Sequence, residues 1–139
     1  MSLGRKFSDI QIGDIAEFSK TITESDVYTY AGVVGDFNPM HINEEVAKKG
    51  PFEKRVAHGM ISAGLISTIL GTDLPGPGTI YLGQELSFKA PVFFGDTLTA
   101  VCEVIEKRDS KNIVRLSTTV TKQDGSKVTT GVATVMKKD

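Results

Sequence analysis

One strongly apolar segment, residues 59–71, constrains the fold more than any other part of the chain. Its apolar side chains fall on nearly all faces of a single helix: Met60, Ile61, Ala63, Leu65, Ile66, Ile69 and Leu70. A helix that is apolar on every side is expected to be buried all round. The rest of the chain must therefore enclose it, which predicts a central helix with other elements wrapped around it.

Strand-like segments follow this helix. After a Pro/Gly-rich loop, runs typical of strands cover residues 79–89, 97–108, 113–123 and 127–136, separated by turn residues. An earlier run, residues 15–21, alternates apolar and polar residues in the manner of a half-exposed strand. Short turns between successive runs favour an antiparallel meander. Strands and helices do not alternate, so the pattern predicts an α+β domain in which one antiparallel sheet wraps the central helix.

The segment between the first strand and the central helix holds shorter elements. Thr23 and Asp26 resemble a capping arrangement, and they predict a helix that ends at Gly35. Residues 36–41 are expected to form an ordered loop, because a proline within them cannot continue a helix. Asn43 can cap a further short helix, which is expected to end before Gly50 and Pro51.

Length, charge and cysteine content limit the class of protein. A chain of 139 residues, 40% of them hydrophobic, is expected to form a single domain over 1–139. A net charge of −1 implies no basic face for nucleic acid or anionic lipid. Cys102 is the only cysteine and is expected to be a small strand residue, with a cytoplasmic setting as the default. No apolar run could serve as a signal peptide or span a bilayer, so no membrane association is expected.

Two histidines and one aspartate are the candidates for chemistry. His58 precedes Gly59 at the start of the apolar helix, where packing or capping of the helix end is the plainer role. His41 lies five residues after Asp36, and the proline-stiffened spacer between them can bring imidazole and carboxylate together around one water. A surface aspartate and a surface histidine would show the same spacing, so spacing alone leaves both interpretations open.

Addition of water to an α,β-unsaturated thioester would use such a pair. It needs a base for the water, an acid for the α-carbon and a donor for the enolate oxygen; Asp36 and His41 suit the first two tasks. The Gly59 N–H at a helix N-terminus could be the donor, although glycine there also fits a steric need. Ser67, two turns on, could reach the carboxylate or bond back to its own helix.

Other signals are weak or absent. The sequence contains no Walker-type phosphate loop, no nucleophile elbow, no Cys-x-x-Cys and no His-x-x-x-His metal spacing. Lys48, Lys49, Lys54 and Arg55 form a modest basic cluster. This cluster could meet phosphates of a ligand or could be an ordinary solvated face.

Several stretches together resemble the MaoC-like (R)-specific enoyl-CoA hydratases. They are GDFNPMH at residues 35–41, VAHGM at 56–60, YLGQ at 81–84 and FKAPV at 88–92, followed by GD at 95–96. The likeness extends over residues 7–136, and the Asp-Phe-Asn-Pro-x-His stretch paired with a later His-Gly-Met is its most specific part.

The resemblance implies a hot-dog fold, with a long central helix wrapped by an antiparallel sheet, and a homodimer or higher homo-oligomer in which two sheets become continuous. It implies reversible syn hydration of a trans-2-enoyl-CoA to the (R)-3-hydroxyacyl-CoA. Asp36 and His41 would be the acid/base pair, the Gly59 amide the thioester-oxygen donor, and Ser67 and Asn38 supporting residues. No metal or redox cofactor is implied, because hydrogen bonds polarise the thioester sufficiently.

Other activities on the same fold stay open at this point. The chain could dehydrate substrates on acyl carrier protein, or act on branched or dicarboxylic acyl-CoA. It could also be a non-catalytic acyl-CoA-binding subunit, which the intact Asp36/His41 motif disfavours, or, less readily, a thioesterase. The sequence leaves undecided the acyl chain length and which member of the pair deprotonates water.

Overall fold

The structure is a computed structural model that describes residues 4–139. The expectation that the amino terminus contains no export signal falls partly on residues 1–3, which lie outside the described residues. The helices are α1 (Glu24–Val34), α2 (Pro39–Ile42), α3 (Glu44–Ala47) and α4 (Gly59–Thr72). The strands are β1 (Ile15–Thr21), β2 (Ile80–Phe88), β3 (Thr97–Arg108), β4 (Ile113–Thr121) and β5 (Lys127–Met136). They confirm the expected α+β composition and the expected order of elements.

The strands form one antiparallel sheet in the order β1-β3-β4-β5-β2. The predicted meander is therefore right for β3, β4 and β5 but wrong for β2, which pairs with β5 at the far edge. The connection after β2 carries the chain across the sheet, where Gly95 N–H donates to Ile22 O at 2.7 Å and Ile22 N–H donates to Asp96 O at 2.9 Å. Turn residues mark where strands end, but they do not say which strands pair.

The hydrophobic core lies between α4 and the sheet. Leu65, Ile66, Ile69 and Leu70 on α4 pack with the inward-facing residues of the strands. Each such side chain contributes roughly 1.5–3 kcal/mol when it is fully buried. The expectation that α4 is buried all round is wrong, since Met60 is 50% exposed and Gly64 and Ser67 lie on the same exposed face. The sheet covers one side of the helix, and the apolar pattern does not reveal what covers the other.

Helix α1 confirms the predicted capping residues. The Asp26 N–H donates to the Thr23 hydroxyl at 3.1 Å, and the Thr23 N–H donates to the Asp26 carboxylate at 2.9 Å. At the other end Gly35 adopts a φ of 83°, a left-handed conformation that glycine allows without strain. The chain therefore leaves α1 in a direction fixed by this glycine, immediately before Asp36.

The expectation about the single cysteine is confirmed. Cys102 is fully buried in β3, and burial raises the pKa of its thiol to about 12, which confirms it as a small and unreactive strand residue. Within residues 4–139, no helix combines the length and the apolar character needed to cross a membrane.

Candidate active site

The bend at residues 36–41 begins where α1 ends. The Asp36 carboxylate accepts a hydrogen bond from the Asn38 N–H at 3.2 Å. The Asn38 side chain accepts from the N–H two residues further on at 3.0 Å and so caps α2. Pro39 occupies the first turn of this helix, where a missing N–H costs nothing. The predicted loop is thus wrong in part, because His41 lies within a one-turn helix that Asn38 caps.

His41 is half-buried and is oriented by a main-chain carbonyl. Its Nδ1 lies 2.7 Å from the oxygen of Val56. Because a carbonyl oxygen can only accept, Nδ1 must carry the proton in this hydrogen bond. In the neutral ring the lone pair is therefore on Nε2, which makes that nitrogen available as a general base.

His58 contacts both Asp36 and His41. Only 3% of this residue is exposed. Its Nε2 donates to the Asp36 main-chain oxygen at 2.9 Å, and its ring centroid lies 3.8 Å from that of His41 and 4.7 Å from that of Tyr30. The packing role expected for His58 is confirmed, but its side chain makes no capping hydrogen bond to α4.

Asp36, His41 and His58 come together into one cluster. One ligand-type atom from each residue lies within 4.8 Å of the others. One nitrogen of each histidine bonds a main-chain carbonyl, which fixes the orientation of both rings, and His58 Nδ1 is buried without a partner among the described residues. The cluster therefore brings a carboxylate and two oriented imidazoles together, and such groups can transfer protons near neutral pH.

Gly59 is the first residue of α4, directly after His58. Amides in the first turn of a helix have no acceptor within the helix, so the Gly59 N–H is available to a ligand carbonyl. A Cβ at this position would lie 3.1 Å from two ring atoms of Phe88, so the glycine allows a close approach here. Gly59, His41 and Phe88 line a mostly apolar pocket of about 410 Å³, and Lys89 lies on its lining.

Ser67 lies on a different surface from the one expected. It faces a pocket of about 510 Å³ whose lining includes Tyr30, Met60 and Gln84 but neither Asp36 nor His41. The structure therefore does not bring Ser67 together with the acid/base candidates within one chain, whereas Asn38 shapes the bend directly. The pocket is formed by the exposed face of α4 and by β2.

Two members of the basic cluster predicted around residues 48–55 have carboxylate partners. Arg55 forms ion pairs with Glu24 and Glu44, both at 2.9 Å, and Lys48 pairs with Glu45 at 2.9 Å. Lys54 instead places its ammonium 4.0 Å from the Phe93 ring centroid. Arg55 thereby joins α1 to α3, whereas Lys48 and Glu45 form a local pair. That these residues meet phosphates of a ligand stays a prediction.

Three contacts that organise the site could not be predicted from the sequence. Tyr30 packs on His58, the Val56 carbonyl orients His41, and the His58 N–H holds the Asp36 carbonyl. Tyr30 looked like an ordinary residue of an apolar helix face, and a main-chain carbonyl carries no sequence signal. The only available signal was the position of His58, one residue before a candidate donor.

Comparisons with known proteins agree on one family. The family described as "MaoC like domain" matches residues 10–126. The (R)-specific enoyl-CoA hydratase of Rhodospirillum rubrum is 52% identical over 130 residues, which cover 94% of this chain and 90% of that protein. The (R)-specific enoyl-CoA hydratase of Aeromonas caviae is 44% identical over 126 residues, covering 91% and 94%.

A solved structure gives the same answer for the fold. The unliganded R-hydratase of Pseudomonas aeruginosa superimposes with a TM-score of 0.90 at 42% identity, covering 98% of this chain and 87% of that one. The expected hot-dog fold is thereby confirmed.

Proposed function

The chain belongs to the MaoC-like family, and from this premise we infer that it is a hydro-lyase, an (R)-specific enoyl-CoA hydratase. We propose that Asp36 and His41 are its acid/base pair and the Gly59 amide its oxyanion donor, within one domain spanning residues 1–139. The observation that carries this assignment is the spacing of Asp36 and His41, whose ligand-type atoms lie within 4.8 Å beside the start of α4.

That spacing suits one shared water molecule. Two hydrogen bonds of about 2.8 Å to the same water, at a tetrahedral angle, span about 4.5 Å. His41 Nε2 can accept a proton from a water held in this way, because this nitrogen carries the lone pair when Nδ1 donates to Val56. The Asp36 carboxylate offers a second acceptor, and both stand beside the Gly59 amide that would hold the thioester.

The reaction then adds the elements of water across the double bond. The water oxygen bonds to C3 as its proton passes to one member of the pair, and the electrons of the C2–C3 bond move onto the thioester oxygen. The Gly59 N–H stabilises this enolate oxygen, a contribution typically worth about 10²- to 10³-fold in rate. Collapse of the enolate takes a proton at C2 from the pair, which completes the balance. The hydroxyl group at C3 and the proton at C2 then arrive from the same face, because both come from the Asp36/His41 pair, and this is syn addition.

The pocket next to His41 and Gly59 supports a CoA thioester as substrate. This mostly apolar pocket of about 410 Å³ offers the surroundings that the pantetheine arm would need, and His41 and Gly59 are part of its lining. Lys89 on this lining has no carboxylate partner within residues 4–139, so its charge is available to an anionic part of the substrate.

We also propose a homodimer or higher homo-oligomer. Strand β2 is a sheet edge, and a group of exposed apolar side chains that is unusual on the surface of a monomer lies on it and on the adjoining face of α4: Ile80, Tyr81, Leu82 and Met60. Sedimentation equilibrium measures the oligomeric state in solution. A monomer at micromolar protein concentration would contradict this proposal. A cytoplasmic location is part of the same proposal and is tested by cell fractionation.

The decisive experiment mixes purified protein with crotonyl-CoA and follows the absorbance of the conjugated thioester. Loss of absorbance without free thiol, and a product of (R) configuration, is the expected result. Release of thiol would indicate a thioesterase, and no change would indicate a binding subunit or another acyl group. Repeating the assay with crotonyl-acyl carrier protein separates the hydratase from a dehydratase of carrier-bound substrates.

A further inference from the structure

The segment 56–59 bonds to both residues of the acid/base pair and contains the proposed oxyanion donor. The Val56 carbonyl accepts from His41 Nδ1 at 2.7 Å, and the His58 Nε2–H donates to the Asp36 carbonyl at 2.9 Å. Gly59 then supplies the amide at the start of α4. The relative position of acid, base and donor is therefore set within this one short segment.

We propose that His58 is a positioning residue for the hydration reaction, acting through its Nε2–H on Asp36 and through its ring on His41. This inference rests on the proposed function, since it concerns the same acid/base pair. His58 itself does not touch the substrate in this assignment. It fixes the distance between the two groups that do.

The hydrogen-bonding state of His58 carries the argument. The acceptor of Nε2 is a carbonyl oxygen, so Nε2 holds the proton. Nδ1 is buried and has no partner among the described residues. A buried polar atom without a partner is unfavourable, and a phenyl ring would fill this space without that penalty. The imidazole at this position is therefore explained by what its other nitrogen does, which is to hold the Asp36 main chain.

The ring of His58 adds a second constraint. Its centroid lies 4.7 Å from that of Tyr30 and 3.8 Å from that of His41, so the His41 ring is held both by this contact and by its hydrogen bond to Val56. The ordinary role for a residue before a helix, a side-chain cap, does not apply because no capping bond is formed. The hydrogen bond to Asp36 and the ring contact with His41 together hold the acid/base pair at a fixed relative position.

The experiment compares three variants that separate the ring from the hydrogen bond. His58→Phe keeps the ring and removes the donor, and kcat is expected to fall about 10- to 100-fold with KM within about 2-fold, because small misplacement of reacting groups has effects of this size. His58→Gln places an amide nitrogen where Nε2 stood and should recover part of kcat. His58→Asn places its amide near the Nδ1 position and should not.

Val114→Ala is the matched control for a structural effect. Val114 is fully buried in β4, so this variant lowers the melting temperature without altering the Asp36/His41 pair. Its kcat per folded molecule is expected to equal that of the parent chain. The same measurement on the His58 variants, with folded fraction taken from circular dichroism, distinguishes loss of positioning from loss of folded protein.

Two results would overturn the inference. One is a His58→Phe protein that hydrates crotonyl-CoA at the parent rate, and the other is a set of His58 variants whose losses simply follow their folded fraction, with no advantage of Gln over Asn. If Asp36→Asn is inactive while His58→Phe is fully active, the inference fails and the proposed function stands. If the parent chain does not hydrate crotonyl-CoA or its homologues, both fail together.

Discussion

Two short segments build the candidate site, and they differ in exposure and in what they contribute. The bend at residues 36–41 is largely exposed and supplies reactive side chains, a carboxylate and an imidazole. The segment at residues 56–59 is mostly buried and supplies chiefly main-chain groups and one buried ring. The comparison teaches that reactivity and geometry are assigned to separate parts of the chain. Changes in the first should therefore affect turnover, and changes around the second should affect stability or alignment.

The strongest test of this division is removal of the reactive groups themselves. Asp36→Asn and His41→Ala should each lower kcat by about 10²- to 10⁴-fold, because each removes a proton-transfer group. Melting temperatures should change little, since both residues lie outside the core. Steady-state hydration of crotonyl-CoA and thermal unfolding measure the two quantities. Near-normal turnover in either variant would remove that residue from the assigned pair.

A smaller effect is expected at the junction of the two segments. In Gly59→Ala the new methyl would lie 3.1 Å from ring atoms of Phe88, and together they would crowd the position of the thioester oxygen. We expect kcat/KM to fall about tenfold, a fraction of what loss of an oxyanion donor usually costs. Alanine favours helix, so stability should hold.

Gly71→Ala is the matched control for this junction. Gly71 lies on the same helix as Gly59, and a Cβ at Gly71 would have no neighbouring atom within 4 Å. Its kcat/KM should be that of the parent chain. Equal kcat/KM for both glycine variants would argue against a ligand approaching Gly59.

The next prediction concerns stability at the start of α4. The buried Ser62 hydroxyl donates to the Gly59 carbonyl at 2.7 Å and must therefore accept from the Thr129 hydroxyl, also at 2.7 Å. Ser62→Ala leaves the buried Thr129 hydroxyl without this partner and should cost about 1–3 kcal/mol in the free energy of unfolding. Urea denaturation measures this free energy. The control is Ser67→Ala on the exposed face of the same helix, whose free energy of unfolding should stay within about 0.5 kcal/mol of the parent value.

The kcat of the Ser62→Ala protein tests the difference between the bend at residues 36–41 and the segment at residues 56–59 in a second way. If the buried segment contributes geometry and stability, kcat per folded molecule should stay within about 3-fold of the parent value, well below the effect of removing a proton-transfer group. A large loss of kcat with unchanged stability would reverse the division proposed between the two segments.

The smallest effect is expected within the bend itself. Asn38→Ala removes the cap of α2 and should cost about 1 kcal/mol or less of local stability. Because Asp36 and His41 keep their own contacts to the segment 56–59, kcat should fall only a few-fold. Hydration kinetics at several temperatures would show the effect, and a loss as large as that of Asp36→Asn would mean that Asn38 takes a direct part in the chemistry.

The sequence by itself determined the elements whose signals are local. Thr23 and Asp26 cap α1 as their spacing predicts, Gly35 ends it, and the bounds 15–21, 97–108 and 127–136 agree with β1, β3 and β5. Capping needs residues only three positions apart, and alternation needs only a strand's own side chains. The proximity of Asp36 and His41 is only partly of this kind, because the short bend limits their separation while the Val56 carbonyl and the His58 ring orient His41.

The tertiary structure decided everything that depends on distant parts of the chain. It placed β2 beside β5, left one face of α4 exposed, directed Ser67 away from Asp36, and brought His58 and Tyr30 against His41. Apolar periodicity says that a surface is to be covered but not by what, and main-chain acceptors such as the Val56 carbonyl are the same in every residue. Such pairings follow from the packing of the whole chain, because many local sequences are compatible with each of them.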